Sequence, residues 1–265
     1  MYAFNYAKPA TINDAVAALE AADDGKFVAG GMTLLPTLKQ RLASPSDLID
    51  LSGIAELKGV CQDGDSLIIG AMTTHTEVAK SPLVNAMIPA LAAVAEGIGD
   101  PQVRNCGTLG GSVANNDPAA DYPGAVLGLG AVIKTSQRTL TADDFFTGMF
   151  ETALEETELL ISVSFPKPIA AAYAKFPNPA SRYSMAGVFV ARMADGVRVA
   201  VTGAGANGVF RVADMETALA ADFSAAALDG ISVDPDGLNS DLHGSSVYRA
   251  NLVSVMAKRA VGACA

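Results

Sequence analysis

Histidine and cysteine are too scarce in this chain to build the common catalytic or metal centres. Only His75 and His243 occur in 265 residues, which leaves little material for a histidine-rich metal site or a Ser-His-Asp triad. His75 reads as a structural or interface residue, and His243, beside Gly244 in a polar stretch, as a surface one. The three cysteines, Cys61, Cys106 and Cys264, are too far apart for a disulfide framework, a zinc site or an iron-sulfur spacing. Positive charge is also short: 18 Lys and Arg face 28 Asp and Glu, for a net charge of -10. A nucleic-acid partner is therefore not expected, because phosphate backbones are held by clustered cations. No apolar run approaches the roughly 20 residues that span a bilayer, and MYAFNYAKPA at the start has no basic region leading into an apolar stretch. The expectation is a soluble, cytoplasmic protein.

Glycine is well placed. Two motifs stand out, Ala29-Gly30-Gly31-Met32-Thr33 and Gly107-Thr108-Leu109-Gly110-Gly111-Ser112. Lacking a Cβ, glycine lets the chain turn through positive φ and lets a ligand approach the N–H groups. Each motif is expected to be a loop that presents bare amides to an anion, and the pair to form a diphosphate clamp, with hydroxyls of Thr33, Thr108 and Ser112 as further donors. A competing reading makes both motifs tight turns that pack strands closely. Neither motif is the G-x-G-x-x-G fingerprint or a P-loop. The second runs on into Asn115-Asn116-Asp117-Pro118-Ala119-Ala120-Asp121-Tyr122-Pro123, where amides and carboxylates stand ready for a polyol. A diphosphate beside a polyol is the chemistry of FAD.

The periodicity predicts a helix over 12–22 behind Thr11, a strand over 26–28, a helix running to Leu42 with Pro36 in an early turn, and a strand over 47–51. Residues 59–61 and 66–70 flank Asp63-Gly64, a hairpin signal. Helices are expected over 76–80, 89–97 and 123–129, and strands over 131–135 and 159–165. Pro166 and Pro168 mark a boundary, after which strands over 172–176, 186–193 and 197–203 and helices over 215–220 and 246–260 follow. The expected division is 1–55, 56–166 and 167–265.

These motifs, together with Asn178-Pro179-Ala180-Ser181-Arg182-Tyr183, Tyr248-Arg249 and Arg259-Ala260, resemble the FAD-binding medium subunits of the molybdenum hydroxylases, the xanthine dehydrogenase family. The likeness spans nearly the whole chain and is strongest toward the aerobic carbon monoxide dehydrogenase branch. It implies an α+β fold: a two-lobed FAD-binding domain of the molybdenum hydroxylase or vanillyl-alcohol-oxidase-like type, then a C-terminal antiparallel sheet with helices. It implies that Ala29, Gly30, Gly31, Met32, Thr33 and Leu34, with Thr108, Gly110, Gly111 and Ser112, bind the FAD diphosphate. Asn115 and Asp117 join them, Asp121 holds the ribityl chain, Leu160 offers a main-chain contact, Lys175 stands near the cofactor and Tyr183 approaches the isoalloxazine. Met32 departs from the histidine common in that branch, and Phe210-Arg211 from a commoner Pro-Arg. No catalytic or metal-binding residue is expected on this chain. The implied partners are a small subunit with two [2Fe-2S] clusters and a large subunit with the molybdenum cofactor, assembled as a dimer of heterotrimers, with a quinone at the membrane surface as acceptor. The substrate implied first is carbon monoxide, then an aldehyde, purine or other heterocycle. A stand-alone flavin oxidase and a non-redox phosphate-binding module are the readings from other classes.

Overall fold

In the computed structural model, which describes residues 1–264, three principal sheets follow one another along the chain. The expected end of the last segment, Ala265, lies outside the described residues. The first sheet places Asp47–Asp50 between Asn5–Ala7 and Gly25–Val28, with both neighbours parallel to it. Helix Ile12–Glu20 crosses between the two outer strands, capped by the Thr11 hydroxyl, which accepts from the amide of Asp14. Its Ala15 and Leu19 are buried with Ile49 and Leu51. The helix after the first glycine motif is Leu34–Lys39, shorter than the pattern to Leu42 suggested. Arg41 turns left-handed at φ 62 and the helix cannot continue through it.

The second sheet has five antiparallel strands in the order Val60–Asp63, Ser66–Gly70, Leu160–Pro166, Val132–Thr135, Thr139–Thr141. The first two form the expected hairpin, with Gly64 at φ 56 in the turn. Leu160–Pro166 is its central strand. Alternation puts Val163 and Phe165 on one face, fully buried against Leu91, Val94 and Val126 of the covering helices. Burying each such side chain contributes about 1.5 to 3 kcal/mol.

The third sheet runs in chain order: Ala170–Pro177, Ser184–Met193, Gly196–Thr202, Phe210–Arg211, all antiparallel. Strand Ser184–Met193 joins two cores by its period of two. Val188 and Val190 face helix Ser246–Ala263, whose Leu252, Val253 and Met256 share their core. Phe189 and Ala191 face the other way, into the core under the second sheet. The α+β class and the C-terminal antiparallel sheet with helices are as the sequence implied.

Four α-helices escaped the pattern: Pro82–Met87, Pro101–Cys106, Leu109–Asn115 and the short Ala142–Phe145. The first two start on proline behind capping Ser81 and Asp100. The third changes the site, because it takes most of the second glycine motif out of a loop.

Candidate functional site

Among the described residues the N–H groups of Gly30, Gly31, Met32 and Thr33 have no hydrogen-bond acceptor. The strand Gly25–Val28 has ended, and the next helix has not begun to consume amides. Gly31 takes φ 70, and Thr33 makes no side-chain cap, so four successive donors remain free. Gly30 also serves close packing, since a Cβ there would stand 2.1 Å from the carbonyl oxygen of Cys106. The first motif is thereby pressed against the start of the second.

In the second motif only the Thr108 N–H lacks an acceptor among the described residues, which corrects the expectation of a loop of bare amides. Gly107 and Thr108 lead directly into helix Leu109–Asn115. Leu109 N–H donates to Thr73 O at 3.0 Å, Gly110 N–H to Ala71 O at 2.8 Å, and Gly111 N–H to Thr108 Oγ1 at 3.1 Å. The helix start is docked on the segment after strand Ser66–Gly70, so protein acceptors take these groups. A Cβ on Gly110 would lie 2.5 Å from that of Ala71; for this glycine the close-packing reading holds. A Cβ on Gly111 would meet only Thr108 Oγ1 at 2.9 Å and Ala29 Cβ at 3.4 Å. What this motif gives the cleft is shape, together with the hydroxyls of Thr108 and Ser112.

Both motifs line one cleft of about 530 Å³, inside the ~300–1,000 Å³ range of small-molecule sites. Ala29, Gly30, Gly31, Met32, Thr33, Leu34, Thr108, Gly110, Gly111, Ser112, Asn115, Asp117, Asp121, Leu160 and Tyr183 all border it. Lys175 does not. It acts one step back, its Nζ 2.9 Å from Asp121 Oδ2 while also donating to Gly97 O. The other oxygen of Asp121 accepts from the Tyr173 hydroxyl at 2.5 Å. Burial pushes the Asp121 carboxyl above its ordinary range, against the pull of Lys175 and Tyr173. Asn116, next to the expected Asn115, turns away: left-handed at φ 42, it donates to Gly148 O and Glu151 O.

Leu160 opens the central strand at an irregularity in its pairing with Val132–Thr135. Glu158, two residues earlier, was invisible in the acidic run Glu155-Glu156-Thr157-Glu158, which reads as a solvated stretch. Its side chain is wholly buried and accepts from Thr135 Oγ1, Arg138 Nε and Nη2, and the amide of Glu155. Burial opposes its charge, yet the Arg138 and Thr135 hydrogen bonds hold its carboxyl below the usual range. The strand start is thus pinned where it meets the cleft. Tyr183, from the loop between the first two strands of the third sheet, stays half-exposed, its phenol pushed up by burial and by the carboxylates of Asp117 and Asp121.

His75 also borders the cleft, beyond the structural role expected of it. It is the first residue of helix His75–Lys80, whose Thr74 and Glu77 form a reciprocal capping box. The helix expected over 76–80 thus begins one residue earlier, at the residue that carries the imidazole. Burial, then the charge of Arg104, lowers its pKa to about 4, so the ring is neutral at physiological pH.

These features suit FAD. Free amides and hydroxyls can hold a diphosphate, a buried carboxylate in the same cleft can hold a polyol, and Tyr183 offers a flat apolar face. Residues 2–168 match the model of the FAD-binding domain in molybdopterin dehydrogenase. The chain belongs to this FAD-binding family. Over 282 aligned positions it is 36% identical to the nicotine 6-hydroxylase medium subunit of Paenarthrobacter nicotinovorans, covering 98% of this chain and 96% of that one. It is 34% identical over 278 positions to the carbon monoxide dehydrogenase medium chain of Hydrogenophaga pseudoflava, with 98% and 96% covered. A solved structure of reconstituted CO dehydrogenase from Oligotropha carboxidovorans superposes with a TM-score of 0.91 at 32% identity, covering 99% of this chain and 97% of that one. The likeness therefore extends past residue 168 through the third sheet. This FAD-binding chain is the medium subunit of an oxidoreductase of the molybdenum hydroxylase type, similar along nearly its whole length to nicotine 6-hydroxylase and carbon monoxide dehydrogenase medium chains.

Proposed function

We propose that this chain holds one FAD, non-covalently, in the cleft between its three sheets and relays electrons for a substrate oxidised on another subunit. The four free amides of Gly30 to Thr33, in the same cleft as the Thr108 and Ser112 hydroxyls, carry the reading. They hold the diphosphate. Asp121, steadied by Lys175 and Tyr173, accepts hydrogen bonds from the ribityl hydroxyls, and the Leu160 main chain and Tyr183 flank the ring system. Ala29, Met32, Leu34, Gly110 and Gly111 shape the walls, and Asn115 and Asp117 border the polar part. FAD bound there supplies two-electron storage with one-electron exchange. The protein's work is placement and exclusion of water. Glu158 is tied to Arg138 and Asp121 to Lys175, and the His75 imidazole, its pKa lowered to about 4, is a weak base, so the cleft is poor in the strong free base that a stand-alone flavin oxidase needs.

Within this reading, electrons arrive from two [2Fe-2S] clusters on a small subunit, fed by a molybdenum cofactor on a large one, in a dimer of heterotrimers. They leave to an acceptor of the quinone class at the membrane surface, and the complex works in the cytoplasm. Carbon monoxide is the first substrate by likeness, an aldehyde, purine or heterocycle the second. The division into lobes at 1–55 and 56–166 and a C-terminal domain from 167 belongs to the same proposal. Titrating flavin-free chain with FAD tests it: stoichiometric appearance of protein-bound flavin bands supports the site, and failure to bind at any FAD concentration overturns it.

A further inference from the structure

His75 is buried, 4% exposed, and makes no side-chain hydrogen bond to protein. Its Nδ1 is sealed from solvent with no partner, while its ring lies 5.3 Å from that of Tyr122, whose hydroxyl is also buried and unpartnered. Nε2 is unpaired too, yet is absent from the sealed atoms, so it keeps access to the cleft that His75 borders. A neutral imidazole carries one proton. A buried N–H without an acceptor is the rarer and costlier arrangement, so the proton belongs on Nε2, leaving Nδ1 as the unsatisfied acceptor.

The surroundings are built to admit this ring. A Cβ on Gly107 would stand 2.6 Å from Nε2, and the backbone N–H of His75 donates to Gly107 O at 3.0 Å. Gly107 is therefore glycine to make room for an imidazole, and Gly30 packs on the other side of the same residue, where its Cβ would lie 2.7 Å from Gly107 Cα. His75 sits where the two glycine motifs meet. We infer that His75 is a further cofactor-binding residue, donating Nε2–H to an acceptor atom of FAD bound in this cleft. The inference rests on the proposed FAD site.

With only two histidines in the chain, imidazole nitrogens labelled with 15N give spectra in which His75 is assigned by comparison with a His243→Gln variant. On saturation with FAD, the Nε2–H proton of His75 should become protected from exchange and its 15N resonance should move, with His243 unchanged. In parallel, His75→Leu should weaken FAD binding about 2- to 12-fold, the range of one neutral hydrogen bond, whereas His75→Gln, which keeps an N–H donor, should weaken it less. Protein that takes up FAD while the His75 resonances stay as they were overturns the inference and leaves the FAD site standing. If His75→Leu does not fold, the wild-type spectra still decide. Protein that binds no FAD at all overturns the FAD reading itself.

Discussion

Glycines of one motif divide into those the fold needs and those the ligand needs, and substitutions separate them. Gly110→Ala drives a methyl into Ala71, 2.5 Å away. It should lower the melting temperature, since overpacking of this kind costs about 1 to 3 kcal/mol. Gly111→Val meets a hydroxyl and a methyl at the cleft wall and should strip flavin from the protein while the fold largely remains. Flavin content and thermal melts of the two variants are the check, and flavin-replete Gly111→Val protein would count against the site. Asp121→Ala should weaken FAD binding roughly 10- to 150-fold, as loss of hydrogen bonds to a charged group worth about 1.5 to 3 kcal/mol. It also leaves Lys175 and Tyr173 without their shared acceptor, so its melting temperature should fall even without FAD. A titration of flavin-free protein reads the first effect and a melt the second.

At the level of elements, helix His75–Lys80 brings a pH dependence. The imidazole's pKa is lowered from 6.5 to about 4 in the folded protein. Unfolded chain therefore binds a proton first as pH falls, so stability is full above pH 6.5 and declines down to about pH 4. The decline is about 3 kcal/mol from this residue. Glu158 and Asp143, with carboxyls below their usual range, lose stability in the same direction at lower pH, whereas Asp121, raised by burial, opposes them. Urea unfolding at pH 7 and pH 4.5 should show the loss, and a folded His75→Gln variant should show less of it. An equal loss in that variant would assign the dependence to the carboxylates. Some elements were readable because their signals are local: the hairpin at Asp63-Gly64, the apolar run of strand Ser184–Met193, the Thr11 cap. Helix Leu109–Asn115 was not, because two glycines argue against a helix. The packing of Gly110 on Ala71 and the Thr108 cap outweigh that propensity.

Across the whole molecule, strand Ala170–Pro177 of the third sheet supports the cleft from one step back, Tyr173 and Lys175 holding Asp121, and Tyr183, from the loop after it, borders the cleft itself. The C-terminal sheet thus completes the site. For the assembled function, FAD-loaded chain alone should be bleached by dithionite yet stay oxidised under carbon monoxide, aldehydes or purines. Iron-sulfur and molybdenum subunits should restore substrate-driven bleaching. Anaerobic absorbance at the flavin band is the measurement, and direct reduction of the lone chain by any of those substrates would replace the relay with an oxidase.

By itself the sequence determined which chemistry was open to this protein. Two histidines and three scattered cysteines exclude the common metal and nucleophile centres, and two glycine motifs followed by Asp117 and Asp121 mark the material of a dinucleotide site. The α+β class was also legible, since period-two strands and capped helices are written in short stretches. Only the tertiary structure decided which amides are free. A glycine permits a bare N–H, but whether that group meets a ligand depends on the acceptors that distant segments bring to it. Ala71 and Thr73 take the amides of Gly110 and Leu109, and nothing takes those of Gly30 to Thr33. The same holds for His75: no local pattern shows that both its nitrogens lack a protein partner, because partners are supplied by packing between residues remote in the chain.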